Sequence, residues 1–289
     1  MPVPRVSILI PTFNGECHLD RLLPVLLSQE LAGGIEIRAI DSDSEDCTRQ
    51  MLRKHGIPVE RIERAEFGHG KTRNRLAESA RGELCVFLSQ DVVPAGDDFL
   101  ERLLAPLVDE RVAGSTSRVL PHANDDPLTA RTVLGAPEAS SDGEPAAYQR
   151  FNNVTSCIRR SVLAEIPFPD VPFGEDIAWA KLALAAGHKI AYVPDSVVYH
   201  AHRYTPRQAF ERYRVDADFH RRTHDKRLRP SLRSVLRGFV YELREDWRYM
   251  RAHGGLHHIL RAPALRGAQV LGQYFGSHGW NPGGSSHSK

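Results

Sequence analysis

Residues 84–94 read Leu-Cys-Val-Phe-Leu-Ser-Gln-Asp-Val-Val-Pro, the stretch that most narrows what this chain can fold into. Five apolar residues run without alternation, a polar triplet ends on a carboxylate, and a proline closes the segment. With helical patterns on either side, such a run reads as a strand buried on both faces of a parallel sheet. Asp91 then stands just past the carboxyl end of a central strand, the edge at which open α/β sheets bind ligands. An aspartate that only solvates a strand end fits this stretch equally well.

The rest of the chain repeats the pattern. Val3–Ile10, Ile35–Ile40, Pro58–Ile62 and Val112–Val119 read as further strands. Helices are predicted over His18–Leu31, Cys47–His55, Lys71–Ala80 and Asp97–Asp109. Alternation at this spacing implies right-handed βαβ units and a mainly parallel sheet flanked by helices. Pro121–Ala147 has no clear period. Phe151–Ile158 resumes an extended pattern, Ser161–Glu165 is a helical turn, Pro167–Gly174 a loop, and Glu175–Ala186 a helix stopped by Gly187. Lys189–Val193 and Ser196–His200 read as two short strands. Thr205-Pro206 caps a helix reaching about Thr223, and helical stretches follow over Ser231–His253 and Leu256–Phe275. The Gly/Ser/His end from Gly276 reads as disordered. The expected division is an α/β domain over 1–205, a basic helical appendage over 206–275 and a tail over 276–289.

Charge separates these parts. Residues 201–261 hold 15 Arg and Lys against 7 Asp and Glu, so the near-neutral total of +2 hides an acidic body and a basic appendage. Arg203, Arg207, Arg212, Arg214, Arg221, Arg222, Lys226, Arg227 and Arg229 are interleaved with Phe210, Tyr213 and Phe219. A one-signed excess favours an anionic partner, a membrane surface before nucleic acid, for which no binding motif is present. No apolar run reaches the roughly 18 residues that span a bilayer, and Met1–Arg5 lacks a signal-peptide layout. Cys17, Cys47, Cys85 and Cys157 form no CxxC pair or zinc spacing, which suits reduced thiols and a cytoplasmic protein, free or at the inner face of a membrane.

Acidic residues fall where this topology puts a ligand crevice: Asp41 at the end of the second strand, Asp43 in the turn after it, Asp91, and Glu175-Asp176 opening a helix behind a glycine. A nucleotide diphosphate needs an acceptor for its base and a cation over its pyrophosphate. Asp41 suits the first task and Asp91 suits Mg²⁺ or Mn²⁺. Tyr199-His200-Ala201-His202 follows the last strand, and alternation points both histidines the same way. One of them completes a metal site with Asp91 or donates to the pyrophosphate, unless the pair is simply structural.

With these residues assembled, the sequence resembles family-2, GT-A-fold, inverting glycosyltransferases, and within them the bacterial rhamnosyltransferases. The matching motifs are Ile10–Gly15, Ile40–Asp46, Phe67–Asn74, Phe87–Asp91, Phe151–Ser156 and Gly174–Asp176, in order across roughly residues 5–205. The resemblance implies a GT-A nucleotide-diphospho-sugar transferase fold. It implies a donor site drawn from Thr12, Asn14, Asp41, Asp43, His69, Lys71, Arg73, Asn74 and Gln90. Asp91 becomes the metal aspartate, with His200 and His202 beside it, and Asp176 the base that deprotonates the acceptor, with Glu175 next to it binding the acceptor or ordering the loop. Ser89 stands where many members carry the first aspartate of Asp-x-Asp, leaving one carboxylate fewer for Mg²⁺ or Mn²⁺. The 67–74 stretch suits a donor clamp: Gly68 and Gly70 permit close backbone approach, the helix N-terminus attracts phosphate, and Arg73 and Lys71 add charge.

The function so implied is transfer of a hexose, L-rhamnose from dTDP-rhamnose, to a glycan or lipid-linked acceptor in cell-surface polysaccharide synthesis. The rivals are a family-2 transferase using a UDP-hexose, a non-catalytic nucleotide-sugar-binding protein, and a nucleic-acid binder acting through residues 201–275.

Overall fold

The computed structural model describes residues 3–135 and 150–280. They form two compact units: Met1–Leu120 with Pro137–His200, and Pro121–Ala136 with Ala201–Lys289.

The first unit is built on an eight-stranded sheet. Its strands are β1 (Val6–Thr12), β2 (Ile35–Asp41), β3 (Val59–Arg61), β4 (Leu84–Leu88), β5 (Val93–Pro94), β6 (Val112–Leu120), β7 (Thr155–Arg159) and β8 (Lys189–Tyr199), in the order β3-β2-β1-β4-β7-β6-β8-β5. The half containing β1 to β4 is parallel, as the alternation predicts. The other half departs from it: β7 lies antiparallel between β4 and β6, and β5 antiparallel to β8, so the sheet is mixed. All five residues of β4 are buried, as its unbroken apolar run requires. The two strands expected at 189–193 and 196–200 are one, kinked by a register shift where Val193 gives way to Val197 opposite Ser117 and Arg118. Such a bulge breaks the alternation on which sequence reading depends.

Helices α1 (Glu16–Leu27), α2 (Thr48–Lys54), α3 (His69–Ser79) and α4 (Phe99–Leu104) connect these strands. α1 buries Leu19, Leu22, Leu23 and Leu26, one stripe at helical spacing, under the sheet with Val6, Ile8 and Ile10. The opposite face holds Leu9, Phe87, Phe151, Phe168 and Trp179.

Inside the aperiodic 121–147 stretch the second unit has a helix, α5 (Pro127–Leu134), whose cap Asp126 accepts from the Leu128 and Thr129 amides; residues 136–149 lie outside the described residues. The remaining helices are α6 (Arg160–Glu165) and α7 (Glu175–Ala185) in the first unit, and α8 (Pro206–His224), α9 (Leu232–His253) and α10 (Ala262–Ser277) in the second. α8 and α10 approach closely because Gly272 and Gly276 leave no Cβ to strike the carbonyls of Phe210 and Arg214. The helix runs past the expected tail start at Gly276, and residues 281–289 lie outside the described residues. No helix among the described residues is long and apolar enough to cross a membrane.

Candidate active site

The carboxyl edge of β1, β2 and β4 carries three groups of polar side chains, all within the first unit.

The loops after β1 and β2 are fastened to each other. The Asn14 amide donates to Ser44 Oγ at 2.8 Å, the Glu45 amide to Asn14 Oδ1 at 2.9 Å and the Gly15 amide to Thr48 Oγ1 at 2.7 Å. Asn14 and Asp43 hold left-handed backbone, φ 45° and 69°, which Asn and Asp tolerate better than most residues. Asp41 is fully buried. Its Oδ1 accepts from the Ser44 amide at 2.9 Å, and its Oδ2 from Thr12 Oγ1 at 3.1 Å and Ser44 Oγ at 2.5 Å. Arg49 Nη1 lies 3.3 Å from Asp41 and 3.6 Å from Asp43, and Arg61 reaches Asp43 at 2.6 Å. The base-accepting role expected of Asp41 thus meets a carboxylate whose oxygens already serve the loop. Asp43 is the more exposed of the two.

Gln90 closes this group from β4. Its Oε1 accepts from the Phe13 amide and its Nε2 donates to the Phe13 carbonyl, both at 2.9 Å. That side chain fills the space a Cβ on Gly15 would need. Gln90 therefore acts as a clasp on the β1 loop. The guanidinium of Arg64 lies 3.9 Å over the Phe13 ring centre.

The second group follows from strand register. Val93 of β5 sits opposite Tyr199 of β8, which brings the residues beside that pair together: Asp91 Oδ1 and His200 Nε2 are 3.3 Å apart. A carboxylate oxygen suits Mn²⁺, and an imidazole nitrogen is a donor that this ion tolerates. His202 lies two residues further along the chain, the second residue of the other unit.

The third group is the acid corner. Antiparallel β7 turns its amino end toward the carboxyl edge of β4, with Thr155 opposite Leu88, so Asn153 lies at that edge. Gly174, at φ 74°, turns the chain into α7, and buried Trp179 anchors this helix through a 2.8 Å bond from its Nε1 to the Ile166 carbonyl. Glu175 and Asp176 open the helix and diverge. Glu175 is buried, with its Oε1 3.1 Å from both Arg73 Nη1 and Asn153 Nδ2. Asp176, partly exposed, accepts the Asn153 amide at 3.0 Å and the Ile177 amide at 2.8 Å. Burial, reinforced by the Glu175 charge, lifts its carboxyl from 3.8 to about 6, against the pull of those two amides and of Arg73.

The expected donor clamp is divided by this arrangement. His69 and Lys71 are exposed at the start of α3, His69 with its ring edge-on to Phe67 at 5.1 Å. Arg73, read as a phosphate fork, is instead buried against Glu175 and donates to the His69 carbonyl at 3.1 Å. Asn74 exchanges two 2.9 Å bonds with the Phe168 backbone. Gly70 makes room for the Pro169 carbonyl rather than for a ligand. Helical spacing explains this: residues 70, 73, 74 and 77 share the inward face of α3, while 69 and 71 sit on its open end.

Arg49, Arg61, Ser44 and Asn153 carry no role in the sequence reading. Asn153 had a signal, its position two residues before a strand in the Phe151–Ser156 motif. Arg49 had only its place in the first turn of α2 after an acidic loop.

Comparison with known proteins bears on the family and the fold. The family model "Glycosyl transferase family 2" matches residues 7–159, more than half of the chain. The O-antigen chain rhamnosyltransferase WbaN of Salmonella anatum is 31% identical over 232 residues, 75% of this chain and 73% of that protein. RfbN of Salmonella typhimurium, another O-antigen chain rhamnosyltransferase, is 29% identical over 228 residues, 75% and 72% of the two chains. Among solved structures, a mannosyltransferase of Pyrobaculum calidifontis in complex with GDP-Man and Mn²⁺ superposes with TM-score 0.64 over 96% of this chain and 89% of its own. At 16% identity that likeness is one of fold, the GT-A-like arrangement the motifs implied. The chain belongs to glycosyl transferase family 2.

Proposed function

We propose that this chain is an inverting transferase that moves L-rhamnose from dTDP-rhamnose to a hydroxyl of a glycan or lipid-linked acceptor in cell-surface polysaccharide synthesis. The observation that carries the reaction is the acid corner. A base must be near its own pKa at working pH and open to the acceptor. Asp176 has both properties, with a carboxyl near about 6 and partial exposure, whereas Glu175 is buried and bound to Arg73. The donor sugar is supported by the names of the two Salmonella relatives, both O-antigen chain rhamnosyltransferases.

In this reading Asp176 takes the proton of the acceptor hydroxyl as that oxygen attacks the anomeric carbon. The bond from that carbon to the diphosphate breaks on the opposite face, and its electron pair leaves with the nucleotide. His69 and Lys71 at the open end of α3 lie with the helix N-terminus, a favourable setting for phosphate. Asp91 and His200 are the pair suited to hold a divalent cation. Such an ion would neutralise the departing diphosphate.

The test is calorimetric binding of dTDP-rhamnose against UDP-glucose, UDP-galactose and GDP-mannose, with and without Mn²⁺. The expected result is selective, cation-strengthened binding of dTDP-rhamnose that His200→Ala weakens. Tighter binding of a UDP-sugar would keep the transferase and overturn the rhamnose donor. Binding indifferent to cation in the wild type would remove the metal from the scheme.

A further inference from the structure

The second unit carries a surface that the transfer reaction does not use. α9 turns about 100° per residue, which sorts its side chains into arcs. Gly238, Asp246 and Met250 are buried on the side facing α5 and α10. An arc of about 80°, which begins at the azimuth of Met250 and includes half-buried Leu243, also holds Leu232, Leu236, Val240 and Trp247, which are 69%, 64%, 37% and 45% exposed. The next arc, about 60° wide, holds Arg233, Arg237, Arg244, Arg248 and Arg251, all exposed. No acidic residue of α9 falls in either arc. Glu245 lies beyond them and reaches back to Arg248 at 2.5 Å.

Single exposed apolar residues need no explanation, but four on one stripe of a helix do. A solvated face would mix both signs of charge, and a face packed on a second copy of this chain would set five arginines against five. An apolar stripe bordered by arginines alone matches a helix lying in a lipid interface. Leucine and tryptophan enter the acyl boundary there, and each arginine extends its stem along the apolar surface to a phosphate.

We propose that the exposed face of α9 docks this chain, helix in the plane, on an anionic phospholipid surface. This deepens the proposed function, because a lipid-linked acceptor is presented at such a surface, yet it rests on α9 alone and not on the donor. It also relocates the lipid contact expected from the basic run after Thr205. In α8 much of that charge is spent internally, Arg214 on Glu211 and both Arg221 and Arg222 on Asp218.

The experiment is co-sedimentation of the full chain with vesicles of phosphatidylcholine alone or of equal parts phosphatidylcholine and phosphatidylglycerol. The expected result is binding to the anionic vesicles only, weakened by salt. Leu236→Glu with Trp247→Glu should abolish it. Arg237→Gln with Arg244→Gln, which alters no buried residue, should lower the partition coefficient by about fivefold per arginine. Dichroism and calorimetric donor affinity should be unchanged in the arginine variant. Wild-type binding by both variants, equal binding to neutral vesicles, or no vesicle binding would each overturn the proposal. A wild-type dimer broken by Trp247→Glu, without vesicle binding, would assign the face to a second copy. A chain that binds anionic vesicles but no nucleotide sugar would fail the proposed function and leave this inference standing.

Discussion

In the second unit, Arg131 and Arg266 stand against Glu242 and Asp246, two cations for two anions. Arg266 Nε and Nη2 reach Asp246 at 2.8 and 2.9 Å, Arg131 pairs with both carboxylates, and Arg266 Nη1 finishes on Thr132 at 3.0 Å and Gln269 at 2.8 Å. In the first unit, Arg73 is, among the described residues, the arginine paired with Glu175, beside Asp176. Its Nη1 serves Glu175, while its buried Nε has no hydrogen-bond partner. The chemistry is the same, guanidinium against carboxylate out of water, and among the described residues the difference is one positive charge. The balanced cluster ties α5, α9 and α10 together. The unbalanced one leaves a carboxylate that holds its proton up to about 6, with partial access to solvent. A surplus of like charge under burial is what makes a carboxyl useful as a base near neutral pH.

That contrast can be broken by mutation. Asp176→Asn should cut transfer by about a hundred- to ten-thousandfold, with donor affinity by calorimetry kept within twofold; normal turnover would remove Asp176 from the reaction. Asp246→Ala leaves two arginines to one carboxylate and strips buried Arg266 of its anion, so it should cost about 3–5 kcal/mol of stability, read by urea unfolding. A loss no larger than that of an exposed aspartate would mean the cluster is not structural.

Two smaller effects sharpen the comparison. Wild-type kcat/KM should fall about tenfold per pH unit below about 6, as Asp176 takes up its proton. Glu175→Gln removes the like charge beside Asp176, so the acid limb should move to lower pH. An unmoved limb would mean that another group titrates. The last effect is on stability. The folded protein holds the Asp176 proton more tightly than an ordinary carboxyl at 3.8, so ionising it costs folding energy, a penalty that grows as pH rises from about 4 and is complete above about 6. Asp176→Asn should therefore raise the melting temperature above pH 7 and leave it unchanged at pH 3.5, and a rise equal at both pH values would refute the assignment.

The sequence by itself determined the parts whose signal is local. β4 was legible from five consecutive apolar residues, α1 from its leucine spacing, and α8 from Thr205-Pro206, because burial and capping leave their mark within one turn or strand. The family motifs in turn supplied the candidate residues and the GT-A-like fold.

Tertiary structure alone decided the direction of β7 and β5, because residues that alternate faces do so in either direction. It also found α5 behind its aspartate cap, where eight residues are too few to show a period, and merged β8 across its bulge. At the site it separated the surroundings of residues that are neighbours in sequence: Arg73 from Lys71, Glu175 from Asp176, and Asp41 from Asp43. Neighbours in a chain share a motif, but a helix turns each by about 100°. Which one meets the core and which meets the ligand depends on what packs against that helix, here Pro169, Asn153 and β7, residues 80 to 100 positions away from the motif around Arg73.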